Sequence, residues 1–356
     1  MQETGPLFEL DGYVAVTDRR LVEKVLRTPS VFSSALAFDM MGSPLPLIPI
    51  ATDPPGHARY RRMLDPFFGP KRLALLEPAF RAQARSLIEG IRDRGSCELV
   101  EDLAIPYPAQ VFLTLFGLPL EDRDQLVAWK DGIIDVVDIS GSAPVGGDLQ
   151  PAMELHEYLS RYITDRRHGN GDDLLSRLLS IKDEGGLTDD EMIGLGFIFV
   201  LAGLDTVTGA LASSFVRTVE NPELRRILVD EPERTPQVVE ELLRLDPPIP
   251  LVPRMTAVET ELGGVTLPPR TPVRVFLSCA NRDTVEHPDP QRVDVQRSER
   301  HLSFGGGVHR CLGSHHARLE LRLVLEEFHR LIPDYSVAPG AHPVVKWPAK
   351  TLRFDA

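Results

Sequence analysis

The ten residues Phe304-Gly305-Gly306-Gly307-Val308-His309-Arg310-Cys311-Leu312-Gly313 set one cysteine in a glycine-rich turn directly before an amphipathic stretch that reads as a helix from Ser314 to about Leu331. That combination suits a metal-bound thiolate. Glycines open backbone conformations closed to other residues and let the main chain lie close to a flat cofactor. The following helix aims free N–H groups and its positive dipole end at the sulfur, so Cys311 is expected to be charged and ligating. A lone cysteine is more commonly a small buried hydrophobe. Cys97 and Cys279, with no ligand spacing around them, are read that way. The spacing of the cysteines fits neither a disulfide framework nor a zinc site, and a reducing compartment follows.

A second group able to do chemistry stands inside a long apolar helix. Thr188-Asp189-Asp190-Glu191 is a capping box, and helical sequence continues until Asn221-Pro222 stops it. About thirty residues at 1.5 Å each span roughly 45 Å, enough to cross the molecule. The first half is apolar on every face, which predicts burial. In the middle lies Ala202-Gly203-Leu204-Asp205-Thr206, where an acid and an alcohol cost free energy unless they are satisfied or used. Packing alone accounts for them if Thr206 bonds back to the carbonyl of residue 202 and Asp205 sits in a buried ion pair. Glu241 and Arg244 share one helical face at i, i+3 spacing, and His57 and Arg61 one at i, i+4. Taken alone, those pairs also fit solvated helix faces.

Together these motifs resemble the soluble bacterial cytochromes P450. The cysteine loop matches that family's F-G-x-G-x-H-x-C-L-G pattern at every specified position, Ala202–Thr206 is similar to its A-G-x-D/E-T segment, and the motifs keep the family's order from Phe8 to Phe354. The resemblance implies a single domain over residues 1–356, mainly α with small segregated β-sheets, with a long central helix over haem b held by the cysteine loop. It makes Cys311 the axial ligand of the haem iron, with Phe304, Gly313 and Ala202 around the cofactor and His57, Arg61, Arg254 and His309 at its propionates. Gly203 opens space for O2, and Asp205 and Thr206 relay protons. Glu241, Arg244 and Arg297 form a buried cluster that scaffolds the haem. The substrate wall falls on Leu195, Phe199, Ile249, Leu251, Val252, Val344 and Val345, with the segments 38–50 and 136–149.

The activity so implied is that of a thiolate-haem monooxygenase, which hydroxylates or epoxidises an apolar small molecule with O2 as co-substrate. Electrons are expected from a ferredoxin-type donor with its reductase, because the chain has no flavin or nicotinamide motif and no cysteine spacing for an iron–sulfur cluster. Arg59, Arg62, Lys71, Arg72, Arg310, Arg318 and Arg322 are expected to give the cysteine side a positive docking face. A peroxide-using thiolate-haem enzyme and a nonenzymatic haem sensor are the alternatives from other classes. Family members usually carry a further N-terminal helix, and Met1–Pro6 begins where that helix would end.

Composition sets the outer bounds. With 39 basic against 52 acidic residues the net charge is −13, which argues against general affinity for nucleic acid or an anionic membrane. The longest apolar run, Met192–Leu204, covers 13 residues, too short for a membrane span, and no signal-peptide hydrophobic region opens the chain. A cytoplasmic protein is expected. Strands are predicted at Tyr13–Thr17, in a hairpin of Thr256–Leu262 with Val265–Leu267, at Val273–Cys279, and in a final pair near Val344–Lys346 and Leu352–Phe354. Helices are predicted at Leu21–Leu26, His57–Leu64, Lys71–Arg92, Tyr107–Phe116, Arg123–Val137, Pro151–Arg167 and Asp172–Ile181.

Overall fold

The computed structural model describes residues 5–40, 45–136, 148–167, 171–181, 185–341, 343–345 and 354–355. The chain opens with β1 (Leu7–Leu10), β2 (Tyr13–Val16), α1 (Arg19–Arg27), β3 (Phe32–Ser33) and α2 (Ala35–Asp39). A helical body follows: α3 (Gly56–Leu64), α4 (Pro70–Arg94), α5 (Pro106–Phe116), α6 (Arg123–Val136), α7 (Gln150–Arg166), α8 (Leu174–Ser180), α9 (Asp189–Glu220), α10 (Pro222–Asp230) and α11 (Thr235–Leu245). Then come β4 (Leu251–Thr256), β5 (Thr260–Leu262), β6 (Val265–Leu267), β7 (Pro272–Phe276), α12 (Leu277–Ala280), the cysteine loop, α13 (Ser314–Leu331), β8 (Val344–Val345) and β9 (Phe354–Asp355). This is the helix-rich architecture with small separate sheets that the sequence predicts.

Local chemistry explains the main boundaries. In α9 both halves of the capping box are made, Thr188 accepting from the Glu191 N–H and Glu191 from the Thr188 N–H. Asn221 ends α9 and caps α10 by accepting from Leu224, while Pro222 fills the first turn of α10, where no N–H is needed. α4 begins on Pro70 and stops at left-handed Gly95, whose N–H reaches back to Ile91 and Arg92.

The main sheet runs β1-β2-β7-β4-β3, with β2 and β7 parallel and the other neighbours antiparallel. Its register sets Arg254 of β4 opposite Val273 of β7. α9 lies between two helical cores. One gathers Leu211 and Phe215 with α4, α10, α11 and α13; the other gathers Leu195, Val200 and Leu204 with α5 to α8.

Several boundaries differ from expectation. The strand predicted over Thr256–Leu262 is two: β4 ends at Thr256, and only Thr260–Leu262 pairs with β6 around the Gly263-Gly264 turn. The strand over Val273–Cys279 ends at Phe276, and Cys279 falls in α12. Asp172 lies outside α8, which Asp173 caps. β1, β3 and α2, each of five residues or fewer, were not predicted from the sequence. Cys97 is exposed and Cys279 half-buried, so neither is the core hydrophobe expected. The membrane argument also changes. Taken whole, α9 is long and apolar enough to cross a bilayer, with a window of mean hydropathy 1.8, but 61% of that window is buried inside the fold. It is the core helix of a globule.

Candidate active site

The cysteine loop folds on itself through hydrogen bonds from Gly305 N–H to the Leu302 carbonyl (2.7 Å) and from Cys311 N–H to the Phe304 carbonyl (2.9 Å). Gly307 has φ +64°, and a Cβ there would lie 2.1 Å from the Leu26 carbonyl oxygen, so only glycine seats the loop against α1. Burial pushes the Cys311 thiol up; the Gly313 N–H and the charges of Arg61, Arg310 and Arg318 pull the other way without outweighing it. A coordinating metal removes a thiol's proton outright, which is the state expected of a ligating Cys311. Although the thiol is deeply enclosed, the residue keeps accessible surface, which therefore faces inward.

The middle of α9 has the same character. Ala202 and Gly203 are exposed and Thr206 half-buried, while Leu204, Asp205 and Val207 beside them are buried. A Cβ on Gly203 would meet no heavy atom within 4 Å. The Thr206 hydroxyl donates to the Ala202 carbonyl at 2.7 Å. Asp205 pairs at 3.4 Å with Lys130 of α6, both side chains being 4% exposed, and Lys130 also meets Asp131 at 2.6 Å. Both features of the packing account are thus present. They leave the chemistry open, because a hydroxyl that donates to a carbonyl still offers its lone pairs. Lys130 was missed in the sequence. Its signal was an ammonium directly after Leu126-Val127-Ala128-Trp129, where a buried lysine needs an acid.

Imidazole and guanidinium groups converge on the cysteine loop from three elements. His57 on α3 and His309 in the loop meet with ring centroids 4.4 Å apart and planes tilted by 59°, and the buried Nε2 of each has no hydrogen-bond partner among the described residues. Burial, with Arg254 and His57 nearby, drives His309 down to about 3; burial and then Arg61 lower His57. Arg254 is 6% exposed, donates to the Pro253 carbonyl, and is pushed down to about 10 by desolvation, against the opposing pull of Asp53. Asp53 lies 3.9 Å from His309 and is itself held by Ser33, Ser34 and Ala35. Arg61 is committed elsewhere: it binds Asp65 at 2.7 Å and the Arg310 carbonyl at 2.7 Å, bracing the loop against α3.

The scaffold cluster forms as the sequence implied. Arg244 grips Glu241 with two bonds of 2.7 and 2.8 Å, and Arg297 Nε lies 3.4 Å from the same carboxylate. The two arginines then hold the carbonyls of Asn281, Pro288, Asp289 and Pro290, fixing the segment before the cysteine loop to α11.

Other expected site residues move. Leu195 is 1% exposed within the core, while half-buried Phe199 packs on Phe68 and Phe116. Ile249, Leu251 and Val252 are all half-buried, Val252 packing against the core that holds Val16, Val22 and Val275. Val344 and Val345 form β8, but their side chains, like residues 41–44 and 137–147 of the expected wall, lie outside the described residues. The expected docking face is largely spent on internal pairs: Arg59 with Glu191, Arg72 with Asp172, Arg318 with Glu240, and Arg322 with Glu77 and Glu326.

These residues fit haem. The site offers an enclosed thiol facing inward, open space against Gly203, Gly305 and Gly313, and imidazole and guanidinium donors in excess of their one acid, as two propionates require. The family model for cytochrome P450 matches residues 10–339. The chain belongs to the cytochrome P450 family. It is 33% identical over 349 residues to vitamin D(3) 25-hydroxylase of Pseudonocardia autotrophica, covering 96% of this chain and 84% of that protein. It is 37% identical over 329 residues to erythromycin C-12 hydroxylase of Saccharopolyspora erythraea, covering 88% and 81%. The crystal structure of CYP109E1 from Bacillus megaterium in complex with testosterone superposes with a TM-score of 0.87 at 28% identity, covering 99% of this chain and 96% of that one. As a cytochrome P450 monooxygenase the protein is an oxidoreductase, and haem and O2 come with the family.

Proposed function

We propose that this cytochrome P450 is a cytoplasmic, single-domain enzyme that hydroxylates or epoxidises a bulky apolar skeleton, polycyclic or macrocyclic, using electrons from a ferredoxin-type donor and its reductase. The observation that carries the reading is the inward-facing Cys311 thiol beside His57 and His309, whose buried Nε2 atoms make no hydrogen bond among the described residues. The relatives named for vitamin D3 and erythromycin, and the testosterone complex, support the substrate class.

Haem b, when bound, supplies the centre at which O2 takes two electrons, one oxygen atom passing to the substrate and the other to water. The chain's residues hold and feed that centre. Cys311 would ligate the iron, its sulfur accepting a hydrogen bond from the Gly313 N–H. His57, His309 and Arg254 pair with the propionates, and Arg61 braces the loop. Phe304, Ala202 and Gly313 bound the cofactor, and Gly203 leaves room for O2. Asp205 passes protons towards the Thr206 hydroxyl, and Glu241, Arg244 and Arg297 keep the loop in place. Ile249, Leu251 and the β8 residues Val344 and Val345 approach the substrate.

The test is the Soret band of the reduced carbon monoxide complex. Cys311→Ala is expected to lose the thiolate signature while Cys97→Ala and Cys279→Ala keep it. The reverse pattern overturns the assignment.

A further inference from the structure

Arg318 was expected on a docking face and is found turned to another task. Its Nε and Nη2 grip the two oxygens of Glu240 at 2.5 and 2.7 Å, and its Nη1 donates to the Ser314 carbonyl at 3.2 Å. The guanidinium carbon lies over the Phe304 ring, 4.3 Å from its centroid. Phe304 is the residue whose carbonyl receives the Cys311 N–H, so the stacked cation bears directly on the backbone that orients the sulfur. Glu240 is held from its other side by His301, 3.2 Å away in the strand of chain that leads into Phe304. A planar, always charged guanidinium suits this task, since it can stack and make a bidentate grip at once.

The pair also has an electrostatic reach. Arg318 is one of three arginines whose charge favours the thiolate at Cys311. The other two differ in setting: Arg61 is paired to Asp65, and exposed Arg310 has no ion pair among the described residues. Arg318 is neutralised at close range by Glu240, whose carboxyl is held down to about 2, burial being outweighed by the bonds from Arg318 and His301. Changing one partner alone therefore adds or removes a full charge beside the ligand loop without moving the loop's glycines or its cysteine.

We propose that Arg318 and Glu240 form a charge-balanced clip that positions the Phe304 side of the cysteine loop and sets the reduction potential of the haem held by Cys311. The inference rests on the haem reading above. The two residues act through the loop and are positioning residues. Reduction adds one electron to the centre, so a net positive charge nearby favours the reduced form and a net negative charge opposes it.

The experiment is an anaerobic, dye-mediated spectroelectrochemical titration of the holoenzyme at fixed pH and low salt, on wild type, Arg318→Gln, Glu240→Gln and the double variant. Arg318→Gln leaves the Glu240 carboxylate unbalanced and is expected to lower the reduced-to-oxidised ratio at the wild-type midpoint severalfold; Glu240→Gln is expected to raise it severalfold. A tenfold change corresponds to about 59 mV for a one-electron couple. The double variant should return close to wild type, and both single shifts should shrink in high salt because the pair is partly exposed. A purely structural clip would instead move both single variants the same way, with the double variant worst. That pattern, or unmoved potentials in variants whose carbon monoxide complex still shows thiolate ligation, overturns the clip. If Arg318→Gln fails to hold haem, Glu240→Gln and Glu240→Gln/Arg318→Lys decide the matter: lysine keeps the charge but not the stack, so the rise should persist in both, and its loss in the lysine variant overturns the electrostatic role. A wild type without the thiolate band would sink the haem reading, and the clip with it.

Discussion

At the scale of single residues, the acid and alcohol of α9 carry the sharpest test, because their geometry satisfies both packing and proton transfer. If Thr206 presents its hydroxyl to the reacting centre, Thr206→Val should keep haem, substrate affinity and O2 consumption yet divert reducing equivalents to peroxide. Unchanged product per reducing equivalent would sink the relay, and with it the main argument against the peroxide-using alternative. Lys130 refines this. Removing the ammonium from a pair in which both side chains are 4% exposed leaves a buried carboxylate in want of charge. Lys130→Met is therefore expected to cost about 3 kcal/mol in urea unfolding. It should also move the acid limb of the product-yield profile to higher pH, since uncompensated burial favours the neutral acid. Lys130→Arg should restore both; a limb that stays put in Lys130→Met would show that Lys130 only packs.

At the scale of elements, two glycines make opposite predictions. In the cysteine loop, Gly307→Ala forces a side chain into the left-handed region and against the Leu26 carbonyl, and about 2 kcal/mol or more of stability should go, with haem retention. In α9, Gly203→Ala meets open space and replaces the poorest ordinary helix former with the best, so the helix should gain about 1 kcal/mol in thermal unfolding. The added methyl nonetheless stands in the space assigned to O2, and oxygen affinity should fall. Loss of stability in Gly203→Ala would show that this face of α9 is packed. The helix pair α4 and α13 is bound by Glu327, 2% exposed, which takes Arg81, Arg85 and Arg330 together. That network gives α13, and so the ligand loop at its N-terminus, a fixed support.

For the whole molecule, pH enters through buried histidines away from the ligand loop. His287, 0% exposed and accepting from Arg19 at 3.0 Å, is driven down to about 4 by burial and by Arg19. His329, 1% exposed between the Leu325 carbonyl and the Tyr335 hydroxyl, falls to about 4 by burial. A base whose folded value lies below its unfolded one stays neutral in the fold while the unfolded chain takes up a proton. Its contribution is intact above about 6.5 and lost as pH falls from there towards 4. Each histidine should tilt stability by about 1.4 kcal/mol per pH unit in that window. His329→Gln should flatten the urea-unfolding slope between pH 6 and pH 4.5 by roughly one proton, and an unaltered slope would refute the assignment. Electron-donor docking belongs to this scale too. With Arg72 and Arg318 engaged internally, exposed Lys71 and Arg310 are the cleaner sites for charge reversal, which should slow reduction at low salt and leave substrate binding alone.

The chemistry-bearing loop was legible in the sequence because its determinants are local: glycine conformations, a helix start and a cysteine lie within ten residues. The same holds for α9, whose capping box and Asn221-Pro222 stop are nearest-neighbour effects. Tertiary structure alone decided what lies across space. Lys130 meets Asp205 from 75 residues away, and Arg318 meets Glu240 from 78, so neither pairing leaves a trace in spacing. Helical periodicity marked α9 as apolar all round but could not say which face opens. Packing buried Leu195 and turned Phe199 onto Phe68, leaving Ala202 and Gly203 exposed. Nor could the motif show that Arg61 and Arg318 bring their charge to Cys311, because their approach is a property of the assembled fold.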